Sequence, residues 1–354
     1  MIAPNFLPLL ALAGLVAAHA EKPLSPHEHA RRQLETRDRH FRARRCLNHI
    51  SEFTAKRKAK RSLAKRGLLH QYDSTTTLDL PPPHHTGLPP DFNCVTAPET
   101  LEGPYYINNE MVRYDLTESQ GGVELFLDIG ALDINTCEPL ENVFVELWSA
   151  NATGIYSSYQ LDVPDSPDDQ VPLIRNETYL RGGLSTDKNG IVELKTIYPG
   201  FYWPRAPHIH VMMHSNWEMS SNGTVISHSG NVVHVGQIYF EESWNDKVYA
   251  IFPYNASKND RILNDDDWVL QDQLKIQPEG YSAFVELELV GEQVKDGLVG
   301  YMTLGVDTTA SYPIKNTNYY NSSTDAEVDD ATKPMQQSID PEAFFAVQMD
   351  GELL

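Results

Sequence analysis

The sequence lacks a long apolar run and is poor in cysteine. No apolar stretch reaches the roughly 18 residues that a membrane-spanning helix needs, so we expect no transmembrane segment. The 3 cysteines, Cys46, Cys94 and Cys137, include no CxxC pair, which argues against a cysteine-built zinc site. In an oxidising compartment two of them would pair. Cys94 with Cys137 is the first choice, and a bridge from Cys46 to the folded region is the alternative.

Basic residues are also scarce, since 28 Lys and Arg stand against 49 Asp and Glu, for a formal net charge of −21. Residues 21–66 nevertheless carry 15 Lys and Arg against 5 Asp and Glu, which leaves residues 67–354 with a net charge of −31. An acidic body disfavours nucleic acid and anionic membranes as partners. The basic segment is expected to form a short, solvated amphipathic helix. Its dibasic pairs, the last at Lys65-Arg66, also leave open a pro-segment that is removed.

The N-terminus has an apolar stretch over residues 6–18 that ends in Ala18-His19-Ala20. It is typical of a secretory signal peptide over residues 1–20, although no basic residue precedes it, and a buried helix is the alternative. Sequons for N-glycosylation fit a secreted, extracellular glycoprotein, and there are five: Asn151, Asn176, Asn222, Asn255 and Asn321. Asn151 lies close to the candidate site described below and is expected to be too enclosed for a glycan.

Turn residues divide the remaining chain. Residues 67–91 form a Thr-, Pro- and His-containing linker, and residues 308–354 are acidic and polar, as in a mobile tail. Between them, over residues 92–307, short alternating segments predict strands at 123–127, 143–148, 191–194, 208–211, 237–240, 284–289 and 301–304. The predicted fold class is all-β: an antiparallel β-sandwich catalytic domain with a short helical N-terminal extension and a mobile acidic C-terminal tail.

The segment 196–210 carries the strongest chemical signal. His208 and His210 are two residues apart on a predicted strand, so both point to one face and can meet one metal ion. An HxH alone also occurs in ordinary strands, and a tyrosine alone is more often part of a core. Tyr202 precedes His208 by six residues, beyond a Pro-Gly turn. Its phenolate is a hard anionic ligand that suits Fe(III) better than softer divalent metals.

Several motifs in one order resemble the intradiol ring-cleavage dioxygenase family, and most closely its protocatechuate 3,4-dioxygenase β-subunit branch of fungal extracellular type. They span roughly residues 90–245 in the family's order. The matching segments are EGPYY at 102–106, VELWSANATGIYS at 145–157, RGGLSTDKNG at 181–190, TIYPGFY at 196–202, RAPHIH at 205–210 and QIYF at 237–240.

The resemblance implies a non-haem Fe(III) cofactor held by Tyr156, Tyr202, His208 and His210. Tyr156 matches the tyrosine that stays on the iron, and Tyr202 matches the one that leaves when the substrate chelates. Arg205 matches an arginine beside the substrate, although alone it would be interpreted as a surface or carboxylate-paired residue. Gln237 matches a polar residue near the histidines. Tyr202, Arg205 and Gln237 are thus the predicted catalytic residues.

The implied reaction uses O2 to open a catechol-type ring between its two hydroxyl-bearing carbons, which gives a muconate-type product. Five residues separate Tyr202 from His208, where soluble bacterial members usually have a longer loop. Tyr105 and Tyr106 are expected to line the pocket, so a catechol, a hydroxylated benzoate or a lignin-derived diol all stay open, as does a homodimer. The alternatives are a secreted β-sandwich that binds aromatics or carbohydrate without turnover, and a cupin-type metalloenzyme with a Glu and a further His as ligands.

Overall fold

The computed structural model describes residues 42–65, 102–159, 173–276 and 282–320. Its helices are α1 (Leu47–Lys65), α2 (Glu242–Tyr249) and α3 (Trp268–Ile276). Its strands are β1 (Glu124–Asp133), β2 (Phe144–Ser149), β3 (Arg181–Ser185), β4 (Ile191–Ile197), β5 (His208–Ser215), β6 (Asn231–Tyr239), β7 (Glu286–Leu289) and β8 (Leu298–Val306). The predicted signal peptide and linker lie outside the described residues. Across the described parts of the chain, no helix is long and apolar enough to cross a membrane.

Two four-stranded sheets form the sandwich, in the orders β4-β1-β8-β7 and β3-β2-β5-β6. Neighbouring strands are antiparallel except β1 and β8, which run parallel from Leu125 opposite Leu298 to Asp133 opposite Val306. A parallel pair needs a long crossover, and here the whole second sheet lies between the two strands in sequence. The predicted all-β sandwich is confirmed, with this one parallel pair as a departure from the antiparallel pattern.

Alternation along β5 separates the core from the candidate site. Ile209, Val211 and Met213 point into the apolar core between the sheets, together with side chains of β1, β4 and β8. His208 and His210 lie on the opposite face of β5. A second apolar cluster, built largely from loop residues such as Tyr105, Tyr156 and Ile314, covers that face. The histidines are therefore buried although they point away from the main core.

Strand β3 is absent from the predicted set because Gly182 and Gly183 argue against a strand. The structure shows what these glycines permit. A side chain at Gly183 would collide with the carbonyl oxygen of Val145 on β2. Glycine therefore lets β3 lie tightly against β2, which matters below because Arg181 begins this strand.

The structure corrects the predicted start of the tail at residue 308. Tyr312 pairs with Val232 of β6, and Asn316 is only 1% exposed. The N–H of Asn316 donates to the Glu102 carboxylate (2.9 Å), and Asn108 Nδ2 donates to the Asn316 carbonyl (2.6 Å). Hydrogen bonds to backbone groups and amide side chains thus help to hold residues 308–320 in place. The polar composition of this segment suggests a mobile tail because it gives no sign of these contacts. The rest of the predicted tail lies outside the described residues.

Helix α1 packs on the outer face of the β4-β1-β8-β7 sheet, so the prediction of a solvated helix is wrong for one side of it. Arg57 is 4% exposed and forms an ion pair with Asp128 of β1 (Nε to Oδ1, 2.6 Å). It also donates to Thr303 Oγ1 (2.9 Å) and to the Met302 carbonyl (3.0 Å) on β8. One guanidinium therefore joins the helix to both strands of the parallel pair.

A disulfide between Cys46 and Cys137 ties α1 to the turn after β1 (S–S 2.01 Å). The predicted Cys94–Cys137 pair is wrong, and the alternative bridge from Cys46 is confirmed. Spacing could not decide between them, because it does not show that the basic helix docks on the sheet. A chain cleaved after Arg66 would consequently keep α1 attached to the sandwich.

We predict that Cys46→Ser destabilises the protein and that Cys94→Ser does not. The cross-link spans 91 residues, and closing a loop of that length in the unfolded chain is worth about 4–5 kcal/mol in the chain-entropy model. Urea unfolding gives the free energy of unfolding of both variants, and non-reducing peptide mapping should find Cys46 joined to Cys137. Equal losses in the two variants, or a peptide joining Cys94 to Cys137, would contradict this pairing.

Candidate metal centre

Four side chains converge beneath the loops that cover the second sheet, and they are the four predicted ligands: Tyr156, Tyr202, His208 and His210. His208 Nε2 lies 3.1 Å from His210 Nε2 and 3.4 Å from Tyr156 Oη. The rings of Tyr156 and Tyr202 meet edge-on with centroids 5.6 Å apart, and the Tyr202 ring lies 5.9 Å from that of His208. The histidines come from β5, and the tyrosines come from the loops that follow β2 and β4.

The surroundings orient both imidazoles. His208 Nδ1 lies 2.7 Å from the Ala206 carbonyl. Because a carbonyl only accepts, Nδ1 carries the proton and Nε2 presents its lone pair to the cluster. The His210 ring stacks on Trp148, with centroids 4.7 Å apart and planes 7° apart. Gly103, at φ +79°, lies against the Cε1 atom of the same ring. A Cβ at this position would stand 3.1 Å from His210 Cε1, so glycine lets the backbone approach the imidazole closely.

Burial sets the protonation of these groups. It lowers the pKa of His208 to about 3 and that of His210 well below its usual range, so both imidazoles are neutral at pH 7. Burial raises the pKa of Tyr156 and Tyr202 above that of a free phenol, so both keep their protons in the absence of a cation. Neutral imidazole and phenolate are the ligating forms. Metal binding would therefore release the tyrosine protons.

This donor set fits a ferric ion. Two buried nitrogen atoms only 3.1 Å apart need a proton or a cation between them, and two phenolates supply hard anionic oxygens that offset a high positive charge. Within the described ranges, no group of three or more His, Cys, Asp and Glu side chains could hold a metal ion. A metal ion held here would therefore need the tyrosines, and the cupin-type alternative finds no support in the described residues.

The structure brings Arg205 and Gln237 together beside the histidines. Arg205 is 8% exposed, and its Nη2 donates to Gln237 Oε1 (2.6 Å) and to the hydroxyl of Tyr239 (2.7 Å). Gln237 lies opposite His210 in the β5–β6 register. The Tyr239 ring lies 5.7 Å from that of His208. A buried positive charge thus stands next to the four converging side chains.

Asp267 forms an ion pair with Arg205, and the sequence analysis does not identify this residue. Its Oδ2 accepts from Arg205 Nε (3.0 Å) and from the Ala206 N–H (2.8 Å). Its Oδ1 accepts from the N–H groups of Val269 and Leu270, as the N-cap of α3. In the sequence it looks like an ordinary helix cap, 62 residues from Arg205, so no local signal joins the two.

Tyr105 lines the site, and Tyr106 does not. Tyr105 stacks on Tyr156 (centroids 4.5 Å, planes 20°) and meets Tyr202 edge-on (5.8 Å, 83°). Tyr106 instead donates to Glu146 (3.0 Å), which also binds His214 (3.0 Å). The prediction that both tyrosines line the pocket is wrong for Tyr106, because its hydroxyl is directed to Glu146 and Ser227 instead.

Comparisons with known proteins agree with this geometry. Residues 101–283, just over half of the chain, match the sequence model of the dioxygenase family Dioxygenase_C. The structure of an intradiol ring-cleavage dioxygenase from Tetranychus urticae is 30% identical, with a TM-score of 0.52, and the match covers 62% of this chain and 97% of that one.

A catechol 1,2-dioxygenase from Acinetobacter baylyi is 31% identical over 112 residues, which are 30% of this chain and 32% of the relative. The match therefore spans about a third of that curated relative. These similarities do not single out the protocatechuate 3,4-dioxygenase β-subunit branch, which stays a prediction. The matched region contains all four converging side chains, and the chain belongs to the intradiol ring-cleavage dioxygenase family.

Proposed function

We propose that this dioxygenase is a secreted, non-haem Fe(III) enzyme that cleaves catechol-type diols with O2. The observation that supports the proposal is the convergence of two imidazole Nε2 atoms, the Tyr156 hydroxyl and the Tyr202 ring at one buried place, in a chain of this family. Tyr156, Tyr202, His208 and His210 would hold the ion. Bound there, Fe(III) would supply a Lewis acid for both diol oxygens and make the ring reactive toward O2.

Tyr202 is better placed than Tyr156 to give way to a substrate. Tyr202 lies midway between β4 and β5 and begins a tight turn, in which the Arg205 N–H donates to the Tyr202 carbonyl (2.7 Å). The next residue, Trp203, is 45% exposed. Tyr156 is instead stacked under Tyr105. A Tyr202 phenolate would accept, at Oη, a proton that the diol loses on binding.

Arg205 is suited to stabilise negative charge on the substrate. Its guanidinium is fixed by Asp267, Gln237 and Tyr239, so it needs no rearrangement when charge develops. The rings of Tyr105 and Tyr202 supply apolar surface for a planar aromatic substrate. The site therefore combines a diol-binding centre, a proton acceptor, a fixed cation and an aromatic wall.

We predict that Fe(III)-loaded protein is burgundy red, because tyrosinate-to-iron charge transfer absorbs visible light. Tyr202→Phe should lose part of this absorption and turn over catechol more slowly. Tyr105→Phe is the matched control, since Tyr105 touches both tyrosines without being a proposed ligand. Visible spectra at equal iron content measure the effect. An iron-loaded but colourless wild type, or an unchanged Tyr202→Phe spectrum, would reject the tyrosine ligands.

Oxygen uptake over a panel of catechols, hydroxylated benzoates and lignin-derived diols should identify the substrate, with both atoms of 18O2 found in a muconate-type product.

For the best substrate we predict that Arg205→Gln lowers kcat by about 10²–10³-fold at unchanged iron content, as expected when a fixed charge-stabilising donor is lost. Arg261→Gln is the control, because Arg261 pairs with Glu242 and Asp246 at the surface. An unchanged kcat in Arg205→Gln would remove this role.

Expression in a glycosylating host tests the secreted state. We predict export to the medium, with a glycan on Asn176, whose side chain is exposed. Asn151 should stay unmodified, because its Nδ2, the atom that a glycan would occupy, donates to Gln120 (3.2 Å) and its Oδ1 accepts from Thr153 and Ile155. Peptide mapping before and after deglycosylation measures occupancy. Retention in the cell, or a glycan on Asn151, would contradict this prediction.

A further inference from the structure

Arg181 is a buried arginine beside the site, and the proposed function assigns it no role. It begins β3 opposite Trp148 of β2, and it is fully buried. The tight packing of β3 on β2 at Gly183 fixes the position of this strand. Burying a guanidinium is costly unless specific partners satisfy it, so its contacts indicate what it holds.

Those contacts lead to the residue after Tyr156. Arg181 Nε donates to Ser157 Oγ (2.6 Å), and Nη2 donates to the Ser157 carbonyl (3.2 Å). The guanidinium carbon also lies 5.7 Å from the centre of the Tyr156 ring and 5.5 Å from that of Tyr159. A single side chain therefore binds the backbone immediately after Tyr156 and lies beside the ring of that tyrosine.

The acidic neighbour of Arg181, Glu110, lies farther from the guanidinium than Ser157 does. Glu110 Oε1 lies 3.7 Å from Arg181 Nη1, beyond hydrogen-bond distance, and neither Glu110 carboxylate oxygen has a hydrogen-bond partner among the described residues. Both short contacts of the guanidinium thus go to Ser157. This ordering indicates that Arg181 serves the Tyr156 segment rather than Glu110.

We propose that Arg181 is a positioning residue of the metal centre, which fixes Tyr156 for iron binding through its two hydrogen bonds to Ser157. The inference rests on the proposed function, because it needs Tyr156 to be a ligand. The site then has two arginines with different roles. Arg205 stabilises charge on the substrate, whereas Arg181 orients the ligand Tyr156 through the neighbouring Ser157. Partners that orient a ligand commonly change metal affinity by about 10–100-fold when removed.

The test compares wild type with Arg181→Met, Arg181→Lys and Glu110→Gln by three measurements: Fe(III) affinity against a competing chelator, the position of the visible absorption band, and the melting temperature of the iron-free protein. Arg181→Met should bind Fe(III) about 10–100-fold more weakly and shift the band. Glu110→Gln should keep the affinity within about twofold and leave the band in place, since the contacts to Ser157 remain. Burial raises the pKa of Glu110 to about 8, so glutamine resembles its form at pH 7.

Arg181→Lys keeps the test decisive if Arg181→Met does not fold. Lysine retains the charge opposite Glu110 but cannot make the two-point contact with Ser157, so affinity should fall and the band should shift. A folded Arg181 variant with wild-type affinity and band position overturns the proposal, even if its melting temperature falls. A wild type that binds no Fe(III), or binds it without colour, would instead reject the proposed function itself.

Discussion

The pair of buried imidazoles on β5 is the constraint around which the rest of the site is arranged. Two nitrogen atoms of His208 and His210 stand 3.1 Å apart with little access to water. Such a pair is unfavourable unless a proton or a cation lies between the two atoms. The strand supplies the pairing through its period of two, and the core between the sheets holds the strand through the intervening Ile209 and Val211. The same alternation therefore builds the core and points the ligands away from it.

The loops over the second sheet complete what the strand begins. They bring Tyr156 and Tyr202 to the histidines, cover His210 with Gly103 and enclose the cluster with Tyr105. Two buried arginines lie beside the cluster, and other side chains hold each of them in place. Arg205 is anchored by Asp267 at the start of α3, and Arg181 faces Glu110 while it binds Ser157. The protein therefore places two fixed positive charges near oxygens that must become negative when a cation is bound.

The sequence predicts the parts of the structure that depend on periodicity and on short motifs. The sandwich, most of its strands and the four converging side chains follow from alternation, from the HxH spacing and from the order of the family's motifs. The contacts that escape prediction are long-range or polar. Asp267 looks like an ordinary helix cap, and the Cys46–Cys137 bridge requires knowing that a basic helix docks on the sheet. Residues 308–320 are mostly polar yet packed, because hydrogen bonds to Asn108 and Glu102 add to the burial of Ile314.

The central claim is that one ferric ion is shared by two tyrosines and two histidines. A crystal structure of the Fe(III)-loaded protein, with anomalous differences collected at the iron absorption edge, tests it most directly. We predict a single strong peak within bonding distance of Tyr156 Oη, Tyr202 Oη, His208 Nε2 and His210 Nε2. A peak that lies elsewhere, or one bonded to the histidines while both tyrosine oxygens stay out of reach, would contradict it.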